Sequence, residues 1–451
     1  MLEPSIFKAY DIRGIYPSQI DEKGAYHIGR AFAMYVATPT IVVGYDMRIS
    51  SPALSKALME GIRDQGGSVI EIGEVTTDAF YYACSKYNTA GIMNTASHNP
   101  PEWTGFKMVK QIPYLIGKGY GMEELQELAI TGKFEKGQIQ GNISHDPNIL
   151  EEFAIKCLSL IDPSSIKPLK VVIDAGNGMG GMMSQATFKH MPQVNVIPMY
   201  FEPNGNFPNH IPDPFVEENK ELLVKKVKEE KADIGIAFDG DADRCFFVDE
   251  TGYPIPGYFL VALFGQWFCQ KEKGASIVYD PRTVNAVIDI ITKAGGKPVL
   301  ERVGHTYFKN RMKAENAIFG GEGSAHYYYR DLNFCDSGIA SALLLLQIVS
   351  QKDEPLSAIV SPLKKKYFFS GEINTKVENF DMVERKIKQI AEHYQDGEIT
   401  YTDGISVRYK DVYFNVRGSN TEPLLRLNVE AKTKTKMEKI RDEVLSFIRS
   451  A

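Results

Sequence analysis

Thr40 to Gly73 reads TIVVGYDMRISSPALSKALMEGIRDQGGSVIEIG, and the fold turns on the recurrence of this plan later in the chain. Leu169 to Tyr200 reads LKVVIDAGNGMGGMMSQATFKHMPQVNVIPMY, and Ala275 to Gly304 reads ASIVYDPRTVNAVIDIITKAGGKPVLERVG. Each copy has a short β-branched run ending near an aspartate, then a Gly/Pro/Ser turn. A helix-like stretch and a second β-rich run follow. Apolar strands alternating with helices indicate βαβ units and a largely parallel sheet. After each copy comes another buried-looking strand with polar residues crowding its C-terminal end. These are TAGIMNTASHNP (Thr89 to Pro100), ADIGIAFDGDADR (Ala232 to Arg244) and NAIFGGEGSAH (Asn316 to His326). Ligands of open α/β sheets bind beyond the carboxyl ends of the strands, so three homologous places offer three different chemical loops.

From about Phe368 the pattern changes. The strand-like runs ISVRYK, VYFNVRGS and LLRLNVEA alternate with two stretches of helical period, DMVERKIKQIAEHYQD and KTKMEKIRDEVLSFIRS. This predicts a small α+β domain with an antiparallel sheet. Boundaries near residues 145, 254 and 366 give domains 1–145, 146–254, 255–366 and 367–451. The whole predicts three related α/β domains with mixed or parallel sheets, followed by the α+β domain.

Composition narrows the function. The 451 residues carry 51 Lys plus Arg against 57 Asp plus Glu, a formal charge of −6. That balance argues against a nucleic-acid or anionic-membrane binder, although a local cation cluster is enough for a small anion. The five cysteines form no C-x-x-C pair, and an odd count argues against a disulfide framework. The opening MLEPSIFKAYDIRG lacks a signal-peptide pattern, and stretches such as Tyr258 to Phe268 are too short or too polar to span a bilayer. A reducing cytoplasmic home is expected.

The loops carry chemistry. Asp239, Asp241 and Asp243 alternate after a strand, and carboxylates so close repel unless a cation lies between them. Hard oxygen ligands suit Mg²⁺. Glu250 is twelfth from Asp239, as in a calcium EF-hand, but Arg244 occupies the sixth position and the flanks read as strands. An Asp-x-Asp phosphatase site normally continues to a threonine that this loop lacks. Ser97, in Thr95-Ala96-Ser97-His98-Asn99-Pro100, is either a turn or cap residue or a nucleophile with a partner for its proton. Lys107 is either a solvated surface residue or a phosphate ligand. Glu322 and Ser324 are spaced to bond adjacent sugar hydroxyls, or belong to a plain glycine turn. His305 and His326 are acid/base candidates or structural histidines. Arg417-Gly418-Ser419-Asn420-Thr421-Glu422-Pro423 with Arg426 has the composition of a phosphate cradle.

Taken together and in order, these loops resemble the α-D-phosphohexomutase family, in its phosphomannomutase/phosphoglucomutase branch. FKAYDIRG resembles that branch's opening, whereas phosphoglucosamine mutases tend to open with a Gly-Thr-(Asp/Ser)-Gly-Ile-Arg-Gly run. TASHNP resembles the phosphoserine loop, DGDADR the metal loop, GEGSAH the sugar loop and RGSNTEP the phosphate loop; VGHTYFKNRM and FPNHIPDP also resemble family stretches. Departures are Gly323 and Ala325 in the sugar loop, Gly418 in the phosphate loop, and Thr104 where Asn is usual.

The resemblance implies four domains around a central cleft and reversible phosphoryl transfer between positions 1 and 6 of a hexose phosphate, mannose or glucose. The route implied is a phosphoserine at Ser97 and a hexose 1,6-bisphosphate, which also serves as activator. Mg²⁺ would sit on Asp239, Asp241, Asp243 and an oxygen of the modified Ser97. Arg244, Lys107, Arg13, Tyr10 and His98 would serve the reacting end. Glu322 and Ser324 would hold the sugar 3- and 4-hydroxyls, with Arg282, His305, Lys309 and His326 on the opposite wall. Arg417, Ser419, Asn420, Thr421 and Arg426 would grip the idle phosphate. Lys107 or His326 would be the general base. A hinge near residue 366, a monomer or homodimer, and small-molecule partners without nucleic acid or membrane complete the expectation. The rivals are a phosphoglucosamine-type mutase, a metal-dependent phosphatase using Asp239, and a non-catalytic sugar-phosphate binder.

Overall fold

The computed structural model describes residues 2–134, 139–282, 284–419 and 423–450. They fall into two compact units. One joins the chain up to Ile255 with His326–Leu356, and the other joins Pro256–Ala325 with the chain from Ser357.

The first unit holds the first two copies of the repeat. Its first sheet comprises β1 (Ile12–Ile15), β2 (Thr40–Tyr45), β3 (Ser68–Glu74), β4 (Ala90–Asn94), β5 (Trp103–Gln111), β6 (Tyr114–Leu115) and β7 (Ile143–His145). The order is β1-β5-β4-β2-β3-β7, with β6 on β5. Strand β2 runs parallel to β3 and β4, whereas β5 returns antiparallel to β4. All five residues of β4 are buried, as a central parallel strand requires. Its pairing sets Met93 opposite Lys107 and Asn94 opposite Phe106, which brings Lys107 back beside the loop that leaves β4.

Two helices cover one face. Glu22–Val36 starts at Asp21, whose side chain accepts from the Gly24 N–H at 2.7 Å. It crosses Ser51–Asp64 at two glycines. A Cβ on Gly29 would lie 2.2 Å from the Leu58 carbonyl oxygen, and one on Gly61 would lie 2.1 Å from that of Tyr26.

The second sheet repeats the plan with β8 (Leu169–Asp174), β9 (Val194–Met199), β10 (Ile234–Phe238), β11 (Cys245–Asp249) and β12 (Pro254–Ile255), ordered β12-β11-β10-β8-β9. Strand β10 is buried throughout, parallel to β8 and antiparallel to β11. In both sheets the polar loop therefore joins a buried parallel strand to an antiparallel return. The strands on either side of Asp239–Arg244 also settle the EF-hand comparison, because that motif needs helices there. His326–Leu356 adds an antiparallel pair, Tyr327–Tyr329 with Cys335–Asp336, and the apolar helix Gly338–Lys352.

In the second unit, β13 (Ser276–Tyr279) pairs in parallel with β14 (Lys297–Leu300) and β15 (Phe319–Gly321). The last domain is a six-stranded sheet whose pairings are antiparallel. Helices Phe380–His393 and Lys434–Arg449 share its core. The α/β reading and the antiparallel last sheet are borne out. Among the described residues no helix is long and apolar enough to cross a membrane.

Candidate active site

In the first unit the loop after β4 turns at Ser97, whose φ of +47° is left-handed and strained for a residue with a side chain. The Ser97 N–H donates to Thr95 Oγ1 at 2.9 Å, and Arg48 donates to the Ser97 carbonyl at 2.8 Å. Ser97 itself is buried, and its hydroxyl donates to Asp239 Oδ2 at 2.7 Å. The loop after β10 thus meets the loop after β4. Gly240 permits this approach, since a Cβ there would lie 2.2 Å from the Ser97 carbonyl oxygen.

Asp239, Asp241 and Asp243 are 0%, 0% and 2% exposed, with carboxylate oxygens within 4.8 Å of one another. Lys107 donates to Asp241 Oδ2 and Asp243 Oδ2, both at 2.6 Å, and Thr77 donates to Asp241 Oδ2 at the same distance. Asp241 Oδ1 and Asp243 Oδ1 remain buried without a hydrogen-bond partner. Buried acceptors without partners are costly, and a divalent cation among hard oxygens would satisfy them. The donor set fits such an ion. Burial pushes the Asp239 carboxyl up, Arg244 opposes it, and the neighbouring carboxylates help bring it to about 7. Burial also opposes the charge on Lys107, but Asp241 and Asp243 outweigh it and hold the ammonium protonated.

Arg244 donates from Nε to Asp239 Oδ2 at 2.9 Å and lies 3.8 Å from Asp213 of the FPNHIPDP stretch. It also contacts His98 Nδ1. Burial, with Arg244 and Arg13, holds His98 well below its ordinary pKa, so this imidazole is neutral. Arg13 donates to Asn99 Oδ1 at 2.7 Å and pairs with Asp11 at 2.8 Å. Tyr10 lies half-buried in the bend before β1. His326, read from sequence as part of the opposite wall, belongs to this unit. Its Nδ1 lies 2.9 Å from Asp336 Oδ2 and 3.7 Å from Asp243 Oδ1.

The second unit gathers the remaining groups. Glu322 Oε1 accepts from the Gly304 N–H at 3.1 Å, and Arg282 donates to Ser324 Oγ at 3.2 Å. Asp280 orders both sides of this loop, accepting from the Gly323 N–H at 2.7 Å and from Arg282 Nε at 3.0 Å. His305 opens helix His305–Ala314, in which Lys309 is buried. Ala325 adopts φ +68°, so alanine takes the left-handed angle that glycine normally serves. Arg417 and Arg426 share Glu372, at 3.0 and 3.2 Å. Burial lifts the Glu372 carboxyl, and Arg417, Arg282 and Arg426 outweigh that and hold it below the usual range. Ser419 is buried, with its N–H on the Leu424 carbonyl. Asn420 and Thr421 lie outside the described residues.

Residues 4–138, 150–252 and 256–367 match the models of phosphoglucomutase/phosphomannomutase alpha/beta/alpha domains I, II and III, and residues 372–446 match the C-terminal domain. The chain belongs to the phosphoglucomutase/phosphomannomutase family. It is 42% identical over 445 residues to a phosphomannomutase of Vibrio cholerae, covering 96% of this chain and 95% of that one. It is 40% identical over 443 residues to a Xanthomonas campestris protein described as phosphohexose mutases, covering 98% of each. A crystal structure of a phosphoglucomutase/phosphomannomutase family protein from Burkholderia thailandensis superposes with TM-score 0.90 at 31% identity, over 100% of this chain and 98% of that one. Aspergillus fumigatus N-acetylphosphoglucosamine mutase, solved with GlcNAc-6P and magnesium, shares the fold at TM-score 0.63 and 12% identity, over 98% and 96% of the two chains.

As a phosphoglucomutase/phosphomannomutase family member, the chain is a phosphohexomutase, an enzyme acting between positions 1 and 6 of a hexose phosphate. Several polar residues at its candidate site carried no signal of their own in the sequence. Glu372 and Asp336 stand in stretches without a motif. Asp46 and Asp280 were visible only as the aspartate near the end of the first strand of their repeats, and Arg48 carried no signal.

Proposed function

We propose that Ser97 carries the phosphoryl group and passes it to the free hydroxyl of mannose or glucose phosphate, giving a hexose 1,6-bisphosphate whose other phosphate returns to Ser97. The observation that carries this reading is the buried Ser97 hydroxyl, 2.7 Å from Asp239 in a cluster of three carboxylates. Asp239, Asp241 and Asp243, with an oxygen of the phosphorylated serine, would hold Mg²⁺, the ion named with the Aspergillus relative. When bound, the ion offsets charge on the transferring group.

The chain's own groups do the positioning. Arg244, Lys107 and Arg13 supply fixed positive charge at the reacting end. His326 is the better general base. Lys107 is held protonated by two carboxylates, whereas Asp336 Oδ2 lies 2.9 Å from His326 Nδ1 and orients an imidazole whose ordinary titration range is near neutrality. Glu322 and Ser324 grip sugar hydroxyls shared by glucose and mannose, with Arg282, His305 and Lys309 beside them. Arg417, Ser419, Asn420, Thr421 and Arg426 take the idle phosphate, where Glu372 holds the Arg417 and Arg426 guanidiniums in place. His98 and Tyr10 complete the reacting end.

The chain would divide into four domains at residues 145, 254 and 366. A reducing cytoplasm suits the five buried, unbridged cysteines, and the enzyme would act there as a monomer or homodimer. Ser97→Ala tests the reading. Coupled assays with mannose 1-phosphate and glucose 1-phosphate, in Mg²⁺ with a trace of bisphosphate, should show turnover by the parent enzyme and a loss of roughly 10³-fold or more in the variant. Parent enzyme that isomerises neither sugar, or a fully active Ser97→Ala, overturns it.

A further inference from the structure

We infer that Arg48 is the positioning residue of the reactive loop, holding Ser97 at its working distance from the carboxylate cluster. This rests on the reading of Ser97 as phosphoryl carrier. Arg48 is 1% exposed and lies in the turn that follows the first strand of the first repeat, in Asp46-Met47-Arg48. Its guanidinium donates to four backbone carbonyls of the reactive loop and the first residue of β5: Ser97 at 2.8 Å, Asn99 at 2.6 Å, Pro100 at 2.7 Å and Trp103 at 2.9 Å. It touches no reacting group, so it acts through the loop.

Independent features surround this arginine. Asp46 pairs with it at 3.3 Å with both side chains fully buried, and also accepts from the Arg48 N–H at 3.1 Å. The Phe207 ring lies 5.3 Å from the guanidinium carbon. Gly205 presses against the Arg48 backbone, where a Cβ would lie 2.8 Å from its Cα. The Ser97 carbonyl that Arg48 binds is the same one that Gly240 of the metal loop approaches. One buried cation thus fixes the left-handed turn at Ser97 and the contact between the two loops.

The third repeat supports a shared device. Asp280 and Arg282 stand at the matching strand end, and Asp280 accepts from the Arg282 N–H at 2.8 Å as Asp46 does from Arg48. In both repeats the strand leading into Asp-x-Arg lies parallel and adjacent to the strand that feeds the functional loop. Arg282 meets its loop through side chains, and Arg48 meets its own through carbonyls. A lysine lacks the planar fork that engages several carbonyls at once.

Arg48→Lys, compared with the parent and with Ser97→Ala, is the test. The expected variant has the parent's far-UV circular dichroism, a kcat reduced about 100-fold, and a KM for hexose 1-phosphate within about threefold. Single-turnover transfer of labelled phosphoryl from Ser97 to the sugar phosphate should slow by the same factor. Should Arg48→Lys fail to fold, Asp46→Asn carries the test, with kcat expected to fall about tenfold at unchanged KM. Arg48→Lys with kcat within threefold of the parent, a kcat loss matched by lost folded protein, or Asp46→Asn without effect overturns the proposal. An inactive Ser97→Ala beside an unaffected Arg48→Lys fails this inference alone, whereas an active Ser97→Ala fails the reading beneath it.

Discussion

Ala325 shows how a single residue can preserve a loop at a cost. It stands where the family resemblance places a glycine, and it adopts a left-handed backbone, at φ +68°. That conformation disfavours a Cβ by about 1–2 kcal/mol. Ala325→Gly should therefore raise stability by about 1 kcal/mol in denaturant unfolding, with little change in KM; a loss of stability would show that the buried methyl matters more than the angle. Asp241 shows the opposite balance. Burial opposes its charge, while Lys107 and Thr77 hold the carboxyl ionised, well below the usual range. Asp241→Asn should weaken Mg²⁺ dependence at least tenfold in titrations of activity against the metal. Such residues were legible because their chemistry is compact in sequence: three aspartates within five residues need a cation. Glu372 was not legible, because its role arises only when a strand pairing brings Arg417 beside Arg426.

At the scale of elements, the chemistry sits where packing is least forgiving. Helix Thr77–Lys86 begins under the metal loop, with Thr77 bonded to Asp241 and Asp78 to Ser337. Burial raises the Asp78 carboxyl from 3.8 to about 7. The folded unit then keeps a proton that the unfolded chain has already lost. Its stabilising effect is complete below about pH 4 and disappears as pH rises through about 7. Asp78→Asn should flatten that part of the stability curve, by up to a few kcal/mol between pH 4 and 7 in chemical denaturation. Parallel curves for parent and variant would contradict it. The Gly29–Gly61 crossing offers a second test. Gly61→Val should destabilise the first unit by at least about 1–3 kcal/mol through overpacking, while the fraction that folds keeps its kcat. The repeat made the βαβ elements readable from alternation alone. The glycine crossing was not readable, because nothing in the helical period says which two faces meet.

Across the whole molecule, the sequence loops divide between two compact units. The reactive and metal loops, with His326, belong to one; the sugar loop, Arg417 and Arg426 belong to the other. The expectation near residue 366 set the last domain against the first three, whereas Pro256–Ala325 clusters with the chain from Ser357. The repeat, being local, could not reveal that grouping. This division predicts that chelating the metal abolishes turnover while hexose phosphate binding, followed by calorimetry, changes less than about threefold. Equal loss of both would contradict it. The net charge of −6 hides this arrangement, since the Asp triplet is matched by Lys107 and Arg244 inside one unit while Arg417, Arg426 and Arg282 collect in the other.

Phosphopeptide mapping of the enzyme after incubation with hexose 1,6-bisphosphate should find one phosphoryl group, on Ser97, and subsequent mannose 1-phosphate or glucose 1-phosphate should remove it. A phosphoryl group on Asp239 or another residue, or none at all in enzyme that turns over, would contradict the assignment of Ser97.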